Sequence, residues 1–424
     1  MKEEFLHYIW KHQMFSKRSL VTTDNKNVII KSVGLHNHNS GPDFFNAKIE
    51  IDNLVWAGNV EIHVKSSDWY LHRHESDVNY DTVVLHIVWK DDVEIFNKNN
   101  HPLPTVEISN FISKDVLGNY HRLFSKELRW IPCEKSIEFI DSFTMNNWKT
   151  RLYFERLEAK SKLIDVLLLA SNNDYEAVLF KLLMKNFGLK INGDSFLNLA
   201  NSIDFSIIRK EQNNVLKLNA LLFGQAGFLQ QELEESYFRL LKKEYSYLKH
   251  KYNVLPIANE QFQFFRMRPT NFPTIRIAQI AAVYHQHQSL FSKLMSFTKL
   301  EEFYDLFNVP LNEFWKTHYT FKKIAPKKTK KVTGSFVDLL LINTIIPLKF
   351  NYFKSLNRNV DEEFLDFLKN IKPEKNSIVS KFSELNIKAN NAFDSQVLLE
   401  LKNNYCTKKR CLQCAIGNRL IKKT

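Results

Sequence analysis

The sequence is poor in cysteine, glycine and proline, with four, ten and eleven of each in 424 residues. Four cysteines are too few for a disulfide framework in a chain of this length. So few turn-formers exclude a collagen-like, low-complexity or turn-rich repeat architecture. No run approaches the ~20 apolar residues that span a bilayer. The most apolar stretch, 336–347, is interrupted by Asp338 and Asn343, so no membrane partner is expected. Residues 1–5 begin acidic and carry no apolar signal run. The expected location is therefore the cytoplasm, where cysteines serve as thiols or metal ligands.

What is present is an ordinary globular composition, 44% apolar and 25% charged, with 34 phenylalanines that imply an aromatic-rich core. The length predicts two or three domains. Charge is divided unevenly. Residues 1–140 hold 16 Lys and Arg against 19 Asp and Glu, whereas the remaining 284 hold 43 against 27. A basic excess segregated in this way fits a polyanionic partner, most often nucleic acid. The bland alternative is a lysine-rich composition with no partner behind it.

Hydrophobic periodicity divides the chain similarly. Residues 3–15 place Phe5, Leu6, Ile9 and Trp10 on one helical face. From about 27 to 108 the period is two. Asp52-Asn53 between alternating runs predicts a hairpin, and 82–89 is a β-branched run of a buried strand. From about 143 the pattern is helical, with segments at 175–187, 212–222, 229–248, 275–296 and 336–346. The expected fold is α+β: a mixed-sheet N-terminal domain over 1–140, a large α-helical domain over 141–400, and a basic cysteine-containing tail over 401–424 that packs back on the first domain. The lysines at 322–323 and 327–331 read as an exposed basic loop.

The densest chemistry lies between 41 and 89. Gly41-Pro42-Asp43 is a turn presenting a carboxylate at the start of a hairpin. Glu61, His63 and Lys65 alternate, which places all three on one strand face. Two carboxylates, Asp43 and Glu61, suffice with water to hold Mg²⁺ or Mn²⁺, and Lys65 or His63 beside them assists an attacking water. The competing reading is a polar strand face with Glu61 salt-bridged to Lys65. His72 and His74 either bind Zn²⁺ together with Asp77, contact a substrate phosphate, or are structural. His86, inside an apolar strand, reads as a hydrogen-bonded core residue.

This cluster resembles the PD-(D/E)xK nuclease superfamily, whose αβββαβ core carries an Asp after a Pro on one strand and Asp/Glu-x-Lys on the next. The matching positions are Pro42-Asp43 and Glu61-Ile62-His63-Val64-Lys65. The residue two after Glu61 is His63, so either His63 takes the lysine place, or His63 takes the acidic place and Lys65 is the lysine. The resemblance implies a restriction-endonuclease-like domain and a metal-dependent nuclease acting on DNA or RNA. The alternative, from a different class, is a non-catalytic nucleic-acid-binding or scaffold protein with a degenerate nuclease fold.

Two further groups stand apart. Cys406, Cys411 and Cys414 place three thiols in nine residues, and Cys133 is the fourth. Four thiolates suffice for a structural Zn²⁺ or an iron–sulfur cluster, and the neighbouring Lys408, Lys409 and Arg410 favour thiolates; four unrelated thiols are the alternative. The arrangement is similar to the iron–sulfur staple of some helicase-associated and CRISPR-adaptation nucleases, although there the lone cysteine precedes the nuclease motifs. Arg266, Arg268 and Arg276 flank a helix start near Pro273 with Asn271 as its cap, either a phosphate seat or a rigid turn. The blocks GPDFFNAKI, GNVEIHVKSSDW, LHIVW, LLFGQAGFL, RMRPTNFPTIRIAQIA, LLLINTIIP and CLQCAIGN are similar to an uncharacterised bacterial family known as a domain of unknown function. That resemblance implies no activity, so mechanism rests on the residues.

Overall fold

The computed structural model describes residues 1–358 and 361–423. The chain divides into two units. The first comprises 1–149, 385–387 and 400–424; the second comprises 150–384 and 388–399. The cysteine-bearing segment thus belongs to the unit that contains the N-terminal sheet.

The first unit is built on a six-stranded mixed sheet. Its strands are β1 (Val28–Ser32), β2 (Leu35–His36), β3 (Phe44–Ile51), β4 (Leu54–Lys65), β5 (Val83–Lys90) and β6 (Thr105–Glu107), in the order β1-β3-β4-β5-β6 with β2 beside β3. The first pairs are antiparallel, whereas β4/β5 and β5/β6 are parallel. The β3–β4 hairpin closes on Asp52 and Asn53, both left-handed at φ 47° and 67°, which matches the twist of the flanking strands. Parallel pairing of β4 and β5 requires a crossover, which carries the one-turn helix α2 (Asp68–Leu71).

Helix α1 (Glu3–Lys11) lays Phe5, Leu6, Ile9 and Trp10 against the sheet, where they join Phe44, Ile49, Val60, Ile62, Leu85 and Ile87 in one core. With Tyr8, five of its nine residues are anchors, and the helix ends at Lys11, four residues short of the apolar pattern. Gln13 turns the chain away with φ 49°. A smaller cluster of Trp69, Val83, Ile95 and Leu103 packs under the crossover. Helix α3 (Lys114–Leu123) adds Val116, Tyr120 and Leu123 to the main core. So do Cys411 and Ile421 from the C-terminal segment, which ends in the helix Ala415–Lys422.

The second unit is helical. Helix α4 (Ser142–Leu169) is followed by helices at Tyr175–Phe187, Leu189–Asn201, Val215–Gln225, Ser236–Tyr252 and Pro273–Gln286. The apolar pattern over 275–296 resolves into two helices, because Ser289 takes φ 53° and a new helix starts at Leu290. One helical stretch, Gly334–Ser355, has the length and mean hydropathy of a membrane span, but 72% of its most apolar window is buried within the protein, as in a core helix. It contains a π-helical turn over Leu341–Ile345, where Lys160 Nζ donates to the Ile342 carbonyl at 3.1 Å. A wider turn of this kind leaves carbonyls out of register, and the lysine supplies a donor.

Gly58 lies on β4 against the start of β5. A methyl group there would meet Val84 and stand 2.6 Å from the Thr82 carbonyl oxygen. Gly58→Ala should destabilise the first unit by about 1–3 kcal/mol, the usual cost of overpacking. A chemical-denaturation midpoint equal to that of the parent would refute the tight crossing.

Candidate metal centre

The polar face of β4 is where this fold departs from an ordinary sheet. Glu61 and His63 point away from the core residues Val60 and Ile62, yet both are buried, at 5% and 1% exposure. Register sets Glu61 opposite His86 on β5, and strand alternation puts His86 on the same face. His63 Nδ1 lies 2.8 Å from His86 Nε2, so one ring donates to the other. The crossover then returns two more imidazoles. His63 Nε2 is 3.1 Å from His72 Nδ1, and Glu61 Oε1 is 3.5 Å from His63 Nε2 and 3.4 Å from His74 Nε2.

Local structure explains the convergence. Asp92 accepts from Ser66 Oγ and from the Ser67 backbone N–H, while Ser66 Oγ accepts from the backbone N–H groups of Asp92 and Val93. This ties the end of β4 to the segment after β5. Trp69 is buried and donates its indole N–H to the Phe96 carbonyl at 3.2 Å. Between the two histidines, Arg73 takes φ 60°. A left-handed non-glycine residue costs energy and commonly marks a functional turn. Here it brings both rings to His63. His74 stacks on Tyr80 at 3.7 Å between centroids.

Asp43 reaches the same carboxylate from β3. Its backbone N–H donates to Glu61 Oε2 at 3.1 Å, and the Ile62 backbone N–H donates to Asp43 Oδ2 at 3.0 Å. Helix α1 completes this side. His7 Nε2 is 3.1 Å from Asp43 Oδ2 and 3.7 Å from Glu3 Oε1. Among the described residues, the groups able to converge on one ion are His63/His72/His74 and Glu3/His7/Asp43. Glu61 touches both.

The charges follow from burial. The Glu61 carboxyl is pushed up to about 9, by burial first and then by the Asp43 charge, against the pull of the Asp43 N–H. Burial, followed by the neighbouring imidazoles, pushes His63 down to about 2, and burial pushes His86 to about 3. His7 goes the other way. Burial opposes its proton, but the hydrogen bond and charge of Asp43, with Glu3 and Glu61, outweigh burial and raise it. Without a cation, burial favours neutral rings at His63, His74 and His86 and a protonated Glu61 carboxyl. A divalent ion reverses that preference, since ligation needs the unprotonated forms.

The donor set discriminates between ions. Tetrahedral ligands at 2.0–2.1 Å from zinc stand roughly 3.3 Å apart; the 3.1 Å between His63 Nε2 and His72 Nδ1 fits, and Glu61 Oε1 borders this group at 3.5 Å from His63 and 3.4 Å from His74. Imidazole-rich sites suit Zn²⁺, Mn²⁺ or Fe²⁺ rather than Mg²⁺, which prefers oxygen. The bond from His63 to His86 is the supporting contact that ligating histidines usually make.

Several sequence expectations are corrected. Lys65 shares the face of Glu61 in period, but the strand ends there. Its side chain is 56% exposed and lies 3.9 Å from Asp92, away from the carboxylates. Asp77 does not join His72 and His74, because its carboxylate accepts from the backbone and side chain of Asn79. Arg276 is not a phosphate seat. It is buried, donates to Gln279 and Asn271, and lies 3.6 Å from the centroid of the Phe336 ring. Asn271 serves that arginine instead of capping the helix, which starts at Pro273 as the sequence predicts. Arg266 and Arg268 are exposed in the second unit. Lys330 is likewise buried, with its ammonium on the carbonyls of Trp315, Lys316 and Lys328. Glu3 and His7 escaped sequence reading, although their i,i+4 spacing on an otherwise apolar-faced helix is a visible signal.

The four cysteines are free thiols, with Cys406, Cys411 and Cys414 buried and Cys133 half-buried. All four line one narrow cavity in the first unit.

The chain belongs to the family described as "Protein of unknown function (DUF2851)", which matches residues 3–377. The match covers the metal-centre residues and Cys133, and stops short of the three C-terminal cysteines. No curated protein and no solved structure matches it.

Two outcomes test the centre. His72→Ala or His74→Ala should weaken Zn²⁺ or Mn²⁺ binding in calorimetry by more than the ~10–100-fold that loss of a supporting partner costs; unchanged affinity would remove these imidazoles from the ligand set. The second outcome is pH-dependent. Folded Glu61 keeps its proton to about pH 9, whereas the unfolded chain loses it near the ordinary glutamate value of 4.5. The unfolded state binds fewer protons in that window, so metal-free stability falls as pH rises through it. His7 adds the same trend above the ordinary histidine value of 6.5. In chelator, Glu61→Gln should therefore lose less melting temperature than the parent between about pH 7 and pH 9. Parallel slopes would mean that Glu61 is ionised in the fold.

Proposed function

We propose that the first unit is the catalytic part of a metal-dependent nuclease that hydrolyses phosphodiester bonds in DNA or RNA. The observation that carries this reading is the shared carboxylate: Glu61 contacts His63 and His74 through one oxygen and the Asp43 backbone through the other. In this reading His63, His72, His74 and Glu61 hold one cation, and Glu3, His7 and Asp43 hold a second. Such a pair supplies an activated water and offsets charge on attacking and leaving oxygens. The chain's own part is to keep the ligands in place. His86 orients His63, and the reciprocal backbone bonds of Asp43 and Ile62 fix the carboxylates before substrate arrives. Exposed lysines and arginines of the basic later sequence would bind the phosphate backbone.

The order of elements supports the reading. With the two-residue strand β2 set aside, helix α1, strands β1, β3 and β4, the one-turn helix α2 and strand β5 follow the αβββαβ order of PD-(D/E)xK nucleases, with Asp43 after Pro42 and Glu61-x-His63 on the next strand. Within that likeness His63 takes the lysine place, which changes the preferred ion from Mg²⁺ toward Mn²⁺ or Zn²⁺. A cytoplasmic location accords with four unpaired thiols.

The test is cleavage of labelled single- and double-stranded DNA and RNA with Mn²⁺, Zn²⁺ or Mg²⁺. Asp43→Asn and Glu61→Gln should reduce product to the level of the chelated control while the melting profile stays cooperative. If the parent loaded with each ion cuts none of these substrates, the nuclease reading fails.

A further inference from the structure

We infer that Cys133, Cys406, Cys411 and Cys414 ligate an iron–sulfur cluster that pins the C-terminal segment into the sheet unit. The four residues come from two places far apart in sequence. Cys133 sits in the turn between Ile131 and Ile137, and the others lie on the segment that ends the chain. They surround one cavity whose other walls are Leu123, Pro132, Leu401, Tyr405, Ile416 and Gly417, with Arg410 as the charged exception. Four thiols, three buried and one half-buried, gathered in an apolar hollow have no packing need for sulfur at each corner. Their common property is ligation.

The surroundings are those of a thiolate site. Cys414 is the residue before the helix Ala415–Lys422, and the backbone N–H groups of Ile416 and Gly417 favour its thiolate. These donors stabilise negative sulfur, as does the positive end of the helix. Lys402 donates to the Trp130 carbonyl at 2.6 Å and its charge favours thiolate at Cys406. Arg410 stands over the Tyr405 ring at 4.6 Å and lines the cavity. Without a metal, burial raises the proton affinity of all four thiols, Cys411 to about 12. The basic neighbours alone therefore do not make thiolates. Ligation releases four protons to solvent as four iron–thiolate bonds form, with no change in oxidation state required of the protein.

Spacing separates a cluster from a single ion. A tetrahedral zinc with Zn–S bonds of ~2.3 Å needs sulfurs roughly 3.8 Å apart. Among the described residues no three cysteine sulfurs lie within 4.8 Å of one another, whereas the two histidine and carboxylate groups do. A cluster places an iron behind each sulfur and holds the thiolates farther apart. Gly417 fits the same constraint: any side chain there would strike the Cys411 carbonyl, so the helix can approach the cysteine loop only with glycine at this point. Beyond the sulfurs, Leu412, Leu420 and Ile421 pack on the sheet core, and Asn119 Nδ2 donates to the carbonyls of Ile421 and Lys423.

The experiment is iron, acid-labile sulfide and zinc analysis of the full chain purified without oxygen, with its visible absorption spectrum. About four iron and four sulfide per chain, with broad absorption near 400 nm that dithionite bleaches, is the expected result for a four-cysteine cubane. Zinc without iron that is lost in Cys406→Ser but kept in His72→Ala would overturn the cluster. So would a folded, metal-free protein that takes up no iron and sulfide on anaerobic reconstitution. Cys406→Ser should lose the absorption while Mn²⁺ or Zn²⁺ binding at the histidine centre persists. If that variant does not fold, limited proteolysis of the parent before and after air oxidation supplies the answer. Oxidation should expose cleavage sites within 400–424, and an unchanged pattern would overturn the pinning role.

Discussion

The geometry of the first unit turns on one burial, that of the Glu61 carboxyl on the polar face of a sheet. A carboxylate in such a place is costly unless it is neutralised, paired or bound to a cation. Its two oxygens serve different neighbours: one faces His63 and His74, the other takes the Asp43 backbone N–H. Strand β3, strand β4, the crossover and helix α1 are each committed to satisfying this group or the groups around it. The left-handed Arg73 and the Ser66–Asp92 network make sense as the cost of bringing His72 and His74 within reach. A sheet face that needed only stability would be filled by apolar residues, as Trp69 and Val83 fill the adjoining region.

Much of this was legible in the sequence, and the reasons are specific. Strand alternation alone placed Glu61 and His63 on one face, because period two is a property of the backbone. Asp52-Asn53 marked the hairpin because both residues tolerate the positive φ that its turn demands. Alternation also carried Lys65 to that face, and there it misled. The pattern does not say where a strand stops, and β4 ends at Lys65 as the chain turns into the Ser66–Asp92 network. Glu3 and His7 were missed for the opposite reason. Their partner, Asp43, lies some forty residues on, and no local pattern reports that α1 crosses the start of β3.

The basic residues taught a different lesson. Arg276 and Lys330 read as polyanion contacts because they are charged. Each is instead buried with its donors on uncharged oxygens, Arg276 on Gln279 and Asn271, and Lys330 on three backbone carbonyls. Long cationic side chains have apolar stems and many donors, so they can tie irregular backbone together in an interior. Net charge therefore overstates the surface available to a phosphate backbone. The exposed Arg266 and Arg268 keep that role open, whereas Arg276 does not.

The two ligand groups of the first unit also divide the chemistry between them. The histidine and carboxylate centre has borderline and hard donors in two groups, each spaced for one ion, and His72 is exposed. The cysteines are soft donors with wider spacing, enclosed by apolar side chains and one arginine. An ion that suits the first set is a poor match for the second in softness and in size. Proteins in one compartment choose among metals mainly by such differences, since raw affinity would fill every site with the same ion. Under the readings proposed above, these unlike donor sets take two kinds of occupant, metal ions for reaction at the first and a cluster that holds the chain together at the second.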